Sequence, residues 1–112
     1  MRRGEIWHIN LDPTIGAEIK KTRPAVIVSS DAVGVLPLKV IVPLTDWKDR
    51  YGIARWMVPV APSAQNGLDK PSAADTFQVR SLAQERFVRR LGQMEDEHMS
   101  EIAQALALVL GI

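Results

Sequence analysis

The side chains able to do chemistry in this 112-residue chain are few and unevenly spread. There is no cysteine, which excludes disulfides, thiolate metal sites and a thiol nucleophile and fits a reducing compartment. His8 and His98 lie on different predicted elements with no metal-ligand spacing between them, and both read as structural. Glu95-Asp96-Glu97 imitates a metal cluster but falls where a helix should start, and carboxylates suit that end of the helix dipole. No Walker loop, G-x-S-x-G or G-x-G-x-x-G motif occurs. What remains is cationic. The formal net charge is only +1, yet residues 1–24 hold Arg2, Arg3, Lys20, Lys21 and Arg23 against Glu5, Asp12 and Glu18. Residues 76–92 hold Arg80, Arg86, Arg89 and Arg90 against Glu85 alone, and the acids concentrate in the tail. Two basic regions and an acidic tail suit a local anion site, with a merely solvated surface as the alternative.

The elements that must position these groups can be read from period and punctuation. Residues 5–11 alternate polar and apolar at period two, a strand pattern ended by Asp12-Pro13 and Gly16. Residues 25–29 and 38–44 are β-branched, nearly continuous apolar runs, as in strands buried on both faces. Pro43 is expected at a strand end or a bulge, since it cannot donate to a ladder. A short strand at 56–60, a long polar loop at 61–71, and strands at 74–82 and 87–91 with a turn at 83–86 follow. Met99, Ile102, Ala103, Leu106, Val109 and Leu110 recur at helical steps, and Gly111 is the expected stop. The hydrophobic fraction of 46% suffices for one core, so residues 1–112 are expected to form one domain. The class predicted is mainly β with a C-terminal helix: a small, strongly curved sheet or barrel closed by that helix. No signal peptide and no membrane span of about 20 apolar residues is visible, so a soluble, cytoplasmic protein is expected.

Three ordered segments carry a more specific message. The first is Arg3-Gly4-Glu5-Ile6-Trp7 with Leu11-Asp12-Pro13-Thr14-Ile15-Gly16-Ala17-Glu18, leading into Lys21-Thr22-Arg23-Pro24-Ala25-Val26-Ile27-Val28. The second is Val42-Pro43-Leu44-Thr45. The third is Gln78-Val79-Arg80-Ser81, with Arg90-Leu91-Gly92 before the last helix. Over nearly its whole length the chain resembles the MazF/PemK family of toxin endoribonucleases. The resemblance implies an SH3-like barrel, homodimers, no metal or other cofactor, and ribosome-independent cleavage of single-stranded RNA at short sequences. The implied products are a 2′,3′-cyclic phosphate and a 5′-hydroxyl, and the implied protein partner is an antitoxin that covers the RNA groove.

On that resemblance Arg23 and Thr45 are the centre of the site. Where the RNA's own 2′-hydroxyl attacks, the protein must stabilise a dianionic five-coordinate phosphorus and manage two protons. A guanidinium matches phosphate oxygens with a planar fork of donors. Deprotonating an arginine near neutrality costs roughly 7 kcal/mol, so Arg23 is assigned to electrostatic stabilisation, and the base is left open. Thr45 would position the phosphate or relay a proton. Glu18 could orient Arg23, accept from a base, or act as the base; it could equally be a solvated loop acid. RNA contacts are expected from Gln78, Arg80, Ser81 and Lys20, and from Trp47 and Arg50, which with Tyr51 form an aromatic and cationic loop suited to stacking or to covering a barrel end.

Two positions depart from the family pattern: Asp46 stands where many relatives have Ser, and Phe77 where many have an acid. Both bear on the RNA word recognised. Two other readings compete. A gyrase-poisoning, non-enzymatic toxin shares the barrel but ends in Trp-Gly-Ile, where this chain has Leu110-Gly111-Ile112. A catalytically inactive RNA- or protein-binding barrel is the other.

Overall fold

The apolar runs at the middle of the chain become the centre of a bent antiparallel sheet. A computed structural model describes all 112 residues. Its strands are β1 (Glu5–Asn10), β2 (Thr22–Ile27), β3 (Leu38–Asp46), β4 (Met57–Val60), β5 (Ser72–Asp75), β6 (Arg80–Ala83) and β7 (Phe87–Gln93), and α1 (Asp96–Leu110) closes the chain. The order is β4-β5-β3-β2-β1-β7, with β6 also paired to β3. Every pairing is antiparallel. Strand β3 is the pivot: residues 38–41 pair with β6 and residues 44–46 with β5. One strand thus serves two sheets, and the sheet bends there into the predicted small barrel with a C-terminal helix.

Both faces of β2 and β3 are buried, as their continuous apolar runs required. Val26, Val28, Val42 and Leu44 join Ile6, Val58, Val60, Met94, Met99 and Ile102 in the larger cluster, under α1. Their neighbours Ala25, Ile27 and Ile41 join Ile9, Leu11 and Leu82 in a second cluster on the opposite face. The helix stripe is narrower than the sequence implied: Met99, Ile102 and Ala105 are buried and Leu106 packs against them, while Ala103 and Leu110 are exposed. Gly111 ends the helix in the left-handed conformation, φ 72°.

Several boundaries differ from the sequence reading: β3 runs on to Asp46, β7 runs on to Gln93, and β4 starts at Met57. Strand β2 starts at Thr22 and runs through Pro24. The stretch expected as one strand over 74–82 is broken by a 3-10 turn, Thr76–Gln78, capped by the Asp75 carboxylate accepting from the Phe77 N–H. Pro43 lies inside β3, opposite Ala25. Its nitrogen is tolerated because the β6 pairing stops at Ile41 and the β5 pairing begins at Leu44, so no neighbour there needs a donor.

The long loop 61–71 is ordered by a buried amide. Asn66 is fully buried; its Oδ1 accepts from Ser63 N–H and Leu68 N–H, and its Nδ2 donates to Ala61 O and to Glu95. Beside it the loop crosses β7 with the two backbones touching. A Cβ on Gly67, at φ +70°, would lie 2.1 Å from Leu91 O, and one on Gly92 would lie 2.4 Å from Gln65 O. Gly67→Ala is expected to cost about 2–4 kcal/mol in urea unfolding, combining left-handed strain with overpacking. Gly16→Ala, also at positive φ but in open space, should cost clearly less; equal losses would show that the crossing is not tight.

Candidate active site

A proline opens the cleft that holds the two central residues. In the β2–β3 ladder Val28 N–H donates to Val40 O, so the alternation of bonded pairs makes Val26 and Val42 the next bonded pair and Pro24 and Leu44 the one after. Pro24 can accept there but has no N–H to give. The ladder ends at Ala25 opposite Pro43, and β3 turns to β5. Carrying the same register two residues further sets Arg23 opposite Thr45 across the gap. Both line a cleft of about 390 Å³ with His8, Thr22, Pro24, Asp46, Leu68, Asp69, Lys70 and Arg89 among its walls.

Arg23 is held by its backbone rather than by an acid. It pairs with Ile9 on β1, and its Nε donates to Lys20 O at 3.4 Å. Lys21, next after Lys20, has φ 71°, a conformation costly for a residue with a Cβ. Two hydrogen bonds hold it there: Lys21 N–H donates to Asp12 Oδ1, and Lys21 O accepts from Leu11 N–H. The guanidinium makes no ion pair. Asp46, the departure next to Thr45, is instead paired with Lys70 at 3.3 Å, so its charge is balanced from within the cleft wall. His8, which the sequence left as structural, also lines the cleft, between Pro24 and Arg89 on the neighbouring strands. Cross-strand pairing alone could have placed it there. By strand alternation it stands on the face of Pro24, opposite to Arg23.

A second groove, of about 580 Å³, adjoins the first along β3. It is lined by Leu11, Ala17, Glu18, Ile19, Pro43, Phe77, Gln78, Val79 and Arg80. Pro43 and Thr45 are two residues apart on one strand, so Arg23 and Thr45 sit where groove and cleft meet. Glu18 is here and not in the cleft; its Oε1 accepts from Ile15 N–H at 2.6 Å, which fixes the loop. The Gln78 amide is fully engaged: Oε1 accepts from Ile19 N–H at 2.6 Å, and Nε2 donates to Asp75 and Ala17 O. Gln78 therefore anchors the first loop to the turn Thr76–Gln78. Burial raises the pKa of the Asp75 carboxyl, against the hydrogen bonds from the Phe77 and Gln78 N–H groups and the Gln78 side chain.

The remaining candidates are scattered. Ser81 is exposed on β6, where alternation sets it on the face away from Arg80 and Leu82. Lys20 is exposed and lines neither cleft. Trp47 lies over a separate recess with Pro59, Ala61, Pro71 and His98, edge-on to Tyr51 at 5.9 Å, and Arg50 stacks over that ring at 5.3 Å. Residues 49–53 form a 3-10 turn, so this segment is folded onto the barrel end. Nowhere do three His, Asp or Glu side chains gather as a metal site would require.

The chain belongs to the family described as PemK-like, MazF-like toxin of type II toxin-antitoxin system, matched over residues 2–110. It is 35% identical over 120 aligned residues to Endoribonuclease MazF9 of Mycobacterium tuberculosis, covering 100% of this chain and 98% of that one. It is 30% identical to Endoribonuclease MazF of Staphylococcus saprophyticus, over 100% of this chain and 92% of the other. The fold matches the crystal structure of MazF from Deinococcus radiodurans with a TM-score of 0.82 at 24% identity, covering 100% and 97% of the two chains.

Glu95 accepts from Ser63 and Asn66 in the loop whose Gly67 and Leu68 line the cleft. Burial alone would raise its pKa, but hydrogen bonds from Ser63 Oγ, its own N–H and Asn66 Nδ2, with His98 nearby, hold it below its ordinary value of 4.5. A lowered folded pKa adds stability above the unfolded value and loses it as pH falls through the folded one. Glu95→Gln should therefore cost about 1 kcal/mol at pH 7, and the gap to the parent should shrink in thermal melts below pH 4.5. A gap independent of pH would remove the carboxylate from this role.

Proposed function

We propose that this protein is a toxin endoribonuclease that cuts single-stranded RNA at the Arg23–Thr45 cleft without a metal. The observation that carries this is the shared register of a guanidinium and a hydroxyl across the gap that Pro24 opens. The 2′-hydroxyl of one nucleotide attacks its own 3′ phosphorus. The bond to the 5′-oxygen of the next nucleotide breaks, leaving a 2′,3′-cyclic phosphate and a 5′-hydroxyl. The attacking hydroxyl surrenders its proton to a base and the leaving oxygen takes one up, so no water is consumed. Arg23, free of any acid partner, neutralises the phosphorane oxygens and donates toward the leaving oxygen. Thr45 fixes a non-bridging oxygen. Arg80 holds the backbone along the adjoining groove, with Glu18 and Gln78 ordering the loop beneath.

Family membership and two endoribonuclease relatives, at 35% and 30% identity, support the enzyme over a gyrase poison or an inactive barrel. A neighbour of the same fold, TM-score 0.77, was solved as an endoribonuclease in complex with its cognate antitoxin. A cognate antitoxin is accordingly the partner of this chain, laid over groove and cleft, with the toxin acting as a homodimer in the cytoplasm. No helix is long and apolar enough to cross a membrane.

The purified protein should cut unstructured RNA in EDTA and leave cyclic-phosphate ends. Arg23→Ala should lower the single-turnover rate by about 100-fold or more, as loss of a transition-state donor does, while RNA affinity falls only a few-fold. Intact RNA across diverse sequences from folded parent protein would refute the nuclease; normal cutting by Arg23→Ala would relocate the site.

A further inference from the structure

The chain has three close aromatic pairs, and one of them faces solvent. Trp7–Phe87 packs on the second core cluster, and Trp47–Tyr51 lies half-buried. Phe77 is 66% exposed and Trp56 40%, with ring centroids 6.0 Å apart at 67°. Phe77 also lines the groove that carries Arg80 and leads to Thr45 by way of Pro43.

The pair is presented by a rigid frame. Trp56 O accepts from both the N–H (3.1 Å) and the hydroxyl (2.7 Å) of Thr76, which is fully buried. Asp75 accepts from Phe77 N–H at 3.2 Å, and Gln78 ties the next residue to the first loop. A side chain that merely covered a barrel end would not need its backbone fixed from both sides while two thirds of it stays in water. An exposed ring on a fixed stem beside a cation is what an unpaired nucleobase uses for stacking. The candidates the sequence offered for that task, Trp47 and Tyr51, are half-buried, so less of either ring is open to a base.

We propose that Phe77, flanked by Trp56, is a stacking platform for one unpaired base of the substrate RNA. That base lies a short distance along the strand from the scissile phosphate, with Arg80 on the phosphate between. The inference rests on the endoribonuclease reading above. Stacking accepts any base, so the platform sets register and affinity, and leaves identity to other contacts. Phe77 is a positioning residue: its loss weakens RNA binding and raises KM, with kcat little changed at saturation.

The test uses full-length protein carrying Arg23→Ala to prevent cutting, and a labelled single-stranded RNA of about ten nucleotides that contains a site cut by the parent. An abasic nucleotide is placed at each position in turn. At one position the abasic RNA should bind about tenfold more weakly. Adding Phe77→Ala should weaken the intact RNA by the same factor and abolish that abasic penalty, and Phe77→Trp should restore both. Because Phe77 is exposed, the variants should melt like their parent. If the parent cuts RNA but Phe77→Ala leaves affinity and abasic penalties unchanged, the platform is wrong. If the parent neither binds nor cuts RNA, both the platform and the nuclease reading fall.

Discussion

One missing hydrogen-bond donor shapes this molecule. Pro24 sits in β2 with its nitrogen turned toward β3 at the register where that strand's next ladder bond belongs. Without an N–H the ladder stops, and β3 is free to change partners and pair with β5. The bend of the barrel and the cleft are therefore consequences of the same atom. Pro43, on the facing strand, adds to this in a complementary way. Its own nitrogen points at the unpaired interval between β6 and β5, so β3 crosses from one sheet to the other without an orphaned donor.

The groups around that opening are positioned by backbone more than by charge. Lys21 is held in a left-handed conformation by Asp12 and Leu11, and Gln78 divides its amide between the first loop and Asp75. Asn66 and Glu95 knit the long loop to the start of the helix. Each of these commits polar groups that could have bound ligand to fixing geometry instead. Arg23 itself makes no ion pair. A guanidinium paired in the resting protein would have to exchange that partner for phosphate, and part of its stabilisation would be lost.

Much of this was legible in the chain. Continuous apolar runs at 25–29 and 38–44 revealed strands buried on both faces, and the stripe from Met99 to Leu110 revealed the closing helix, though its last turn is more exposed than the stripe implied. Ordered motifs pointed to Arg23 and Thr45, and the fold brings the two to one cleft. Three things could not be read, for physical reasons. The tolerance of Pro43 inside a strand depends on where the neighbouring ladders stop, which is a tertiary fact. The break at Thr76–Gln78 depends on a single carboxylate, Asp75, capping a turn within a sequence of good strand formers. Which aromatics stay exposed depends on packing: the sequence pointed to Trp47, which is half-buried against Tyr51, while Phe77 is the more exposed ring. His8 came to the cleft through its strand neighbours, which no local pattern announces.

The crossing of Gly67 over Leu91 and Gly92 sets the bore of the cleft on that side. Main chain presses on main chain, with no side chain between to act as a spacer. A passage bounded this way would keep its width if the side chains facing solvent were exchanged, since none of them lies in the seam.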